Sequence, residues 1–463
     1  MITYGNHLFY QISVQIKGTY REIWQIAFPI ILGSLANSIN QLIDTAFLGH
    51  YSKISLDAVT LTGIFFFNIT FIAGGFARGA QVMIARHNGE MHYNKIGIAF
   101  DHLLAFSAIL SVITLIFFAF ASPAIVTISV KSTAIQEEAL TYLKYMNIGV
   151  PAVVFGFCFN AFYSGIGKTK IITYATLLMG ITNIILDYIL IFGKLGFPAL
   201  GIKGAAIATT IANIVLFLVY LVYFIRQQHT KTYDAFRFKV LKWLQFRKMI
   251  DLSTPIVLQN LIGITSWQYF FLCVEKLGEH ELAVSGILKS LFVFLGIPVW
   301  SLGSASNTII SNIIGQRKLE DVIPALKKVI LVTVGISMSL NLIILLFPRP
   351  ILSLFTNDLQ LIQDCIPPFY TLMIALLFFS SGMIMNQGII GTGATKIPAM
   401  VELFCCFSYI GYCYYFIQLK KSPLYIAWGC EVVYWFSLLT FTTVYWGSGI
   451  WKRFVRHIDT ITA

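Results

Sequence analysis

Charge is what this sequence has least of. Of 463 residues only 11% are Asp, Glu, Lys or Arg, under half the share of an ordinary soluble domain, and that excludes a water-solvated globular enzyme of this length. Also missing is any CxxC pair or secreted disulfide framework. Of the seven cysteines, Cys158, Cys273, Cys405, Cys406, Cys413 and Cys430 lie in apolar runs and Cys365 heads another. His87, His92 and His102 lack the His-Glu-x-x-His spacing of a zinc hydrolase. The opening stretch MITYGNHLFYQISVQIKGTYREIW has no basic n-region, compact apolar core or small-residue cleavage site, so no secretory leader is expected and the N-terminus is expected to stay in the cytoplasm.

What is present is apolar sequence: 57% of the chain, with a mean hydropathy of +0.78. A helix needs about 20 apolar residues to cross a bilayer, and about twelve such stretches occur. Their approximate limits are 23–48, 57–83, 95–119, 139–163, 169–194, 201–225, 249–275, 283–311, 324–346, 366–390, 397–418 and 424–447. The runs are continuously apolar rather than alternating, which excludes a lipid-facing β-barrel. The expected fold class is therefore an all-α integral membrane protein of twelve transmembrane helices.

The net charge of +12 reflects topology rather than a nucleic-acid partner. With the first residue inside, the inner segments hold 21 Lys and Arg, including seven between Arg226 and Lys248 and the terminal Lys452, Arg453 and Arg456, against nine outside. The positive-inside rule then puts both termini in the cytoplasm. Arg78 and Lys289 fall near or inside spans, and Arg78 is expected to reach toward the cytoplasmic interface.

The basic stretch RQQHTKTYDAFRFKVLKWLQFRK interrupts the apolar pattern midway. On either side the sequence repeats: Asn160, Gly165, Gly167, Thr169 and Lys170 recur 226 residues later as Asn386, Gly391, Gly393, Thr395 and Lys396. The same offset relates Arg21 to Arg247, Pro29 to Pro255 and Gly89 to Gly315. The expected organisation is an N-terminal lobe (1–228), a cytoplasmic linker (229–248) and a C-terminal lobe (249–463). With an even number of spans in each, the repeat is parallel, and such transporters bind substrate between halves.

SGIGKT (residues 164–169) resembles a phosphate loop only in part. The leading glycine position is Phe162, and the second copy, GTGATK, replaces the lysine with Ala394; an interhelix turn is the better reading. Polar residues inside spans say more, because an Asp at a helix centre costs about 2.5 to 3.5 kcal/mol or more. Ser34, Asn37, Asn40, Gln41 and Asp44 share a face of the first span by their three- and four-residue spacings. Asn183 and Asp187 share a face of the fifth, and Thr209 lies early in the sixth.

Counted inward from the outer ends near residues 49, 194 and 201, Asp44, Asp187 and Thr209 lie at one level, about 8 to 12 Å deep. Two shielded carboxylates repel, so either one holds a proton or both share a cation, such as Na+, with the oxygens of Asn183 and Thr209. Helix-to-helix gluing by the same polar groups is the competing reading. The second half has no equivalent, since Tyr269 or Phe270, Tyr409 and Cys413 stand where Asp44, Asn183 and Asp187 would fall. Its in-span carboxylates are Glu402 and Glu431, either substrate counter-ions or structurally partnered groups. A Gly-x-Ser-x-Gly nucleophile with His or a paired-Asp protease motif does not occur in the helices.

The segments FPIILGSLANSINQLIDTAFLGH, ARHNGE, NIILDYILIFG and GIKGAAIATT resemble the multidrug and toxic compound extrusion (MATE) transporters, especially their DinF-like prokaryotic branch, and the likeness runs over nearly the whole chain. The resemblance implies a V-shaped pair of six-helix lobes. It also implies an antiporter exchanging amphipathic, often cationic compounds for H+ or Na+ by rocker-switch alternating access in the plasma (inner) membrane, working as a monomer without cofactor. By the same resemblance Asp44 is the protonation or cation-binding carboxylate, Asp187 its partner, Asn183 and Thr209 oxygen ligands, and Pro29 the bending point of the first helix. Asn37, Gln41 and Asn160 are expected to line the substrate cavity. A lipid-linked oligosaccharide flippase of the same superfamily is the alternative, and it should carry more cations along its cavity than Arg78 and Lys289.

Overall fold

The computed structural model describes residues 15–238 and 242–455; both chain ends, Lys239 and Arg456 lie outside the described residues. Among the described residues there is no strand, and twelve helices are long and apolar enough to cross a bilayer. In the first half they are α1 (Tyr20–Tyr51), α2 (Lys53–Gly89), α3 (Tyr93–Ser129), α4 (Thr133–Gly165), α5 (Lys170–Phe192) and α6 (Ile202–Arg226). In the second they are α7 (Trp243–Glu275), α8 (Glu279–Gly315), α9 (Leu319–Leu346), α10 (Leu359–Gly391), α11 (Lys396–Leu419) and α12 (Leu424–Gly447). Ten of them cover the expected span, several running well past it, while α5 falls one or two residues short at its ends and α6 starts one residue late.

Local chemistry sets the boundaries. A capping box opens α1: Thr19 Oγ1 accepts from the Glu22 N–H at 3.3 Å, and Glu22 Oε2 accepts from the Thr19 N–H at 2.9 Å. Ser52 caps α2 in the same sense. Between α4 and α5 the chain turns through Gly167 at φ +72°, and between α10 and α11 through Gly393 at φ +87°. Only glycine adopts these left-handed conformations without strain, which is why both copies of the repeat keep one there. The repeat extends to helix length. Both α2 and α8 have 37 residues, and both α4 and α10 have 33.

Within the first half α2 packs on α4, α4 on α6, α5 on α6 and α1 on α5. The second half mirrors this with α8 on α10, α10 on α12 and α7 on α11. Apolar side chains such as Ile113, Phe120 and Leu331 stay more than half exposed, as lipid-facing residues can at no cost. Close packing rather than water exclusion holds the helices together.

The halves meet through α1, α2, α7 and α8. Near one end of α2 and α8 the crossing is symmetric: Gly89 lies against the carbonyl of Asn312, and Gly315 against the carbonyl of Arg86. No side chain larger than hydrogen fits at either glycine. Hydrogen bonds close the seam, from Arg86 Nη2 to the Thr392 carbonyl (2.7 Å), Gln81 Nε2 to Thr308 Oγ1 (2.9 Å) and the Ile16 N–H to Asn312 Oδ1 (2.9 Å).

The basic linker is docked rather than loose. Asp101 of α3 accepts from the N–H groups of Phe236, Arg237 and Phe238 at 2.7 to 3.1 Å. His102 accepts from the Lys242 N–H at 3.1 Å. His229, Tyr233 and Ala235 are buried, with the imidazole of His229 among the rings of Phe162, Tyr163, Phe224 and Tyr233.

Candidate functional site

Pro29 interrupts α1 from within. Its missing N–H frees the carbonyl of Gln25, and its ring blocks straight helix geometry. The repair comes from α5: Thr169 Oγ1 donates to the carbonyls of Gln25 (3.3 Å) and Ile26 (2.9 Å), and Thr173 Oγ1, one turn on, donates to the carbonyl of Pro29 at 2.6 Å. Two threonines thus clasp α1 at its weak point, an arrangement that membrane proline sites need because lipid offers no donors. Sequence reading identified the proline and passed over its clasp, although threonines four apart at the start of an apolar helix were a visible sign.

Further along α1 the polar face divides. Asn37 and Gln41 are exposed, Asp44 is half-buried and Asn40 is buried, its carboxamide packed over Gly180 of α5, where a Cβ would lie 3.6 Å from Oδ1. Asp44 and Asp187 come together as the depth count anticipated. Asn183 Nδ2 donates to Asp44 Oδ1 at 2.9 Å and also to Asp187 Oδ2. The two carboxyl groups are within hydrogen-bonding reach of each other. Asp187 is fully enclosed, 0% exposed, so Asp44 is the member that solvent reaches first. Two carboxylates so placed repel when both are ionised and bond when one carries a proton.

Thr209 is half-buried on α6 and, among the described residues, makes no hydrogen bond to this pair; its own carbonyl accepts from Asn213 Nδ2 at 2.8 Å. Tyr142 of α4 has taken its place beside the acids, within electrostatic reach of both Asp44 and Asp187. An isolated tyrosine in an apolar helix carries no sequence signal of such a neighbour. Asn160 lies deeper in the same half, hydrogen-bonded to the Tyr220 hydroxyl, which also meets Thr176.

In the second half Glu402 and Glu431 are buried and partnered by side chains of α7, α11 and α12. The two cations singled out in the sequence, Lys289 in α8 and Arg78 in α2, have no carboxylate at ion-pair distance among the described residues. Lys289 stacks on Trp267 and Phe271 at 5.5 and 5.2 Å. Arg78 lies over Phe71 at 5.3 Å. That placement corrects the expectation for Arg78: side chains lean toward the start of their helix, so the guanidinium turns back along α2, away from its Gly89 end.

Comparisons with known proteins agree on one family. The family model described as MatE matches twice, at residues 29–189 and 255–415, two stretches separated by the offset of the internal repeat. A probable multidrug resistance protein NorM from Thermotoga maritima is 26% identical over 83% of this chain and 82% of its own length. A probable multidrug resistance protein YoeA from Bacillus subtilis is 23% identical, over 83% and 84%. Among solved structures, a MATE in complex with MaL6 superposes with a TM-score of 0.88 at 21% identity, covering 97% of this chain and 99% of that one. A structure described as the outward-facing conformation of a multidrug resistance MATE family transporter of the MOP superfamily gives 0.86 at 22% identity, covering 95% and 96%.

Proposed function

The chain belongs to the MatE family, and from that premise we propose a cation-coupled antiporter that exports amphipathic, often cationic small molecules by rocker-switch alternating access. It is a multi-pass membrane transporter and not an enzyme. The observation that carries the coupling is the Asn183 amide donating to Asp44 and Asp187 at once. A carboxyl pair held this way has two stable conditions, one with a shared proton or Na+ and one without, and the charge on Asp44 differs between them. Because α5 holds both Asp187 and the threonines that clasp α1 around Pro29, a change at the acids acts on the same helix pair as the bend. A coupling ion drives transport only if the two conformations bind it differently, and this shared helix pair is where that difference would arise.

The seam at Gly89 and Gly315 is then the closed cytoplasmic gate, and the exposed Asn37 and Gln41 line a cavity open to the other side. Asn160 contributes to the lobe interior beneath them. In this reading the protein functions as a monomer in the plasma (inner) membrane with both termini cytoplasmic, in contact with lipid and a small-molecule substrate. The position of Thr209 supports a proton more than a full oxygen cage for Na+ built from Asp44, Asn183, Asp187 and Thr209. Arg78 and Lys289, without a carboxylate at ion-pair distance among the described residues, are the observation favouring the flippase alternative; they stand on different helices, each stacked on aromatic rings, and do not make a row of cations for a pyrophosphate.

The test is efflux from proteoliposomes under an imposed proton or sodium gradient. One of the two gradients should drive export in the parent and neither in Asp44→Asn. Export unaffected by both gradients and by the substitution would refute the mechanism.

A further inference from the structure

Residues 15–19 lead into α1 without forming helix or strand, so their backbone groups need partners from elsewhere. Ile16 finds both of its partners on the second half. Asn312 Oδ1 accepts from the Ile16 N–H at 2.9 Å, and Gln316 Nε2 donates to the Ile16 carbonyl at 2.7 Å. Asn312 lies in the last turn of α8 and Gln316 just past its end. Gln316 Nε2 also donates to Asn312 Oδ1 at 2.9 Å, which fixes the orientation of both amides.

The same five residues hold the first half. Gln15 Nε2 donates to the Gly89 carbonyl at 2.9 Å. The side chain of Ile16, 6% exposed, comes within 3.2 Å of where a Cβ would stand on Gly167, in the turn between α4 and α5. Asn312 itself reaches back across the seam, donating through Nδ2 to the Ala85 carbonyl at 3.3 Å. Gly18 turns the backbone at φ +67°, so close to α9 that a Cβ would lie 2.7 Å from Ala325 Cβ. Ile16 thereby joins one apolar cluster with Ile309, Ile313, Val322 and Ala325 of the second half. Glu22 accepts from the Lys17 N–H at 3.2 Å and the Thr19 N–H at 2.9 Å, which ties the stretch to the first turn of α1.

The entry to α7 is arranged the opposite way round, with the N–H groups of Phe236, Arg237, Phe238 and Lys242 held by Asp101 and His102 of α3. Each half's leading helix is thus entered through a segment bonded to the other half. For residues 15–19 this has a mechanical consequence. The halves cannot part at the Gly89 end unless the stretch lets go of α8 or of α2. Gln15 is half-buried and Lys17 exposed, so water can take over the released bonds. Letting go then costs only the modest net strength of each hydrogen bond, not the penalty of leaving a group unpaired.

We infer that residues 15–19 are a strap across the cytoplasmic gate, holding the seam shut in this conformation and releasing when the transporter opens inward. The inference rests on the reading of the Gly89 and Gly315 seam as that gate. Since the strap runs directly into α1, the helix that carries Pro29 and Asp44, the latch and the coupling carboxylate sit on one continuous piece of chain.

The test uses the full chain in inside-out membrane vesicles, with Ser304→Cys as the reporter and a membrane-impermeant maleimide as the probe. Gln316→Leu removes the bond to the Ile16 carbonyl and should speed labelling about fivefold, the factor for one net hydrogen bond. Gly18→Val, which neither adopts φ +67° without strain nor fits against Ala325, should speed it further. Gly89→Val is the reference for a seam forced open. Fast labelling in Gly89→Val with parent rates in both strap variants overturns the strap and leaves the gate standing. Parent rates in all three overturn the gate, and the strap with it. A strap variant that melts earlier without labelling faster shows packing alone and overturns the inference. Should Gly18→Val not reach the membrane, Gln316→Leu decides, since it leaves the backbone path of the strap unchanged.

Discussion

Both halves of this transporter hold a pair of acids within matching skeletons, and they do so by different means. In the first half Asp44 and Asp187 face each other across α1 and α5 and share one amide, that of Asn183. In the second, Glu402 and Glu431 are kept apart, each surrounded by donors from neighbouring helices. A short acid pair responds strongly to a single proton or cation, since the second charge cannot be held without it. Separated, fully donated acids can each be held on their own terms. The duplicated fold thus fixes where helices run and leaves the chemistry free to diverge.

The largest expected effect on this contrast comes from Asp44→Asn. Gradient-driven efflux should fall to the level of empty liposomes at normal membrane yield. Full activity in that variant would erase the functional difference between the halves.

Next is the symmetric seam. Gly89→Val places a branched side chain against the Asn312 carbonyl, and the closed form should lose to an open one. A cysteine introduced at Ser304, near the seam, should then be labelled from the cytoplasmic side many times faster than in the parent. All seven native cysteines are buried and free, so their background is low. Equal labelling would show that the seam is not the gate.

A smaller effect is expected at the clasp. Thr173→Val removes a 2.6 Å hydrogen bond to the Pro29 carbonyl and should cost about 1 kcal/mol or less in thermal stability, with a similar loss for Thr169→Val. Thr395, the repeat counterpart of Thr169, makes no such bond among the described residues, and Thr395→Val should cost less. Equal losses at both sites would weaken the case that only the first half carries a clasped bend.

The smallest effect tests the linker, which docks on α3 of the first half through Asp101 and His102. Burial, with the Lys168 charge adding to it, pushes the His229 imidazole down to about 3, against about 6.5 in an unfolded chain. Below pH 6.5 the unfolded state binds a proton that the folded state refuses. The stability contributed by neutral His229 is therefore complete above that pH and is lost as pH falls toward 3. His229→Leu should recover up to about 2 kcal/mol of the loss between pH 7 and pH 5, read from melting curves at the two values. An acid sensitivity that matches the parent would exclude His229 as its source.

Much of this was legible in the chain. Apolar run length identified all twelve helices, and a 226-residue offset related the two halves. Asp44, Asn183 and Asp187 were found because a carboxylate in lipid is too costly to be idle and because helical spacing put them on inward faces. Thr209 followed the same depth rule, yet depth does not specify direction around a helix, and its hydroxyl does not meet the acids. Tyr142, Asp101 and the tyrosines that meet Glu402 and Glu431 were illegible for a related reason: their significance lies in partners from other helices. The sequence reading made this stretch, residues 226–248, a cytoplasmic linker and said nothing of its docking, since a basic, irregular stretch gives no sign of the carboxylate that meets its amides.

The sequence by itself determined the membrane class, the number of helices, their duplication and the presence of costly acids in each half, because these follow from hydropathy, periodicity and the desolvation of charge along a single strand. Only the tertiary structure decided that one amide bridges two acids, that two threonines clasp a proline and that paired glycines seal the halves. Those outcomes depend on which faces of separate helices come within a few ångströms, and that is set by the packing of the whole bundle.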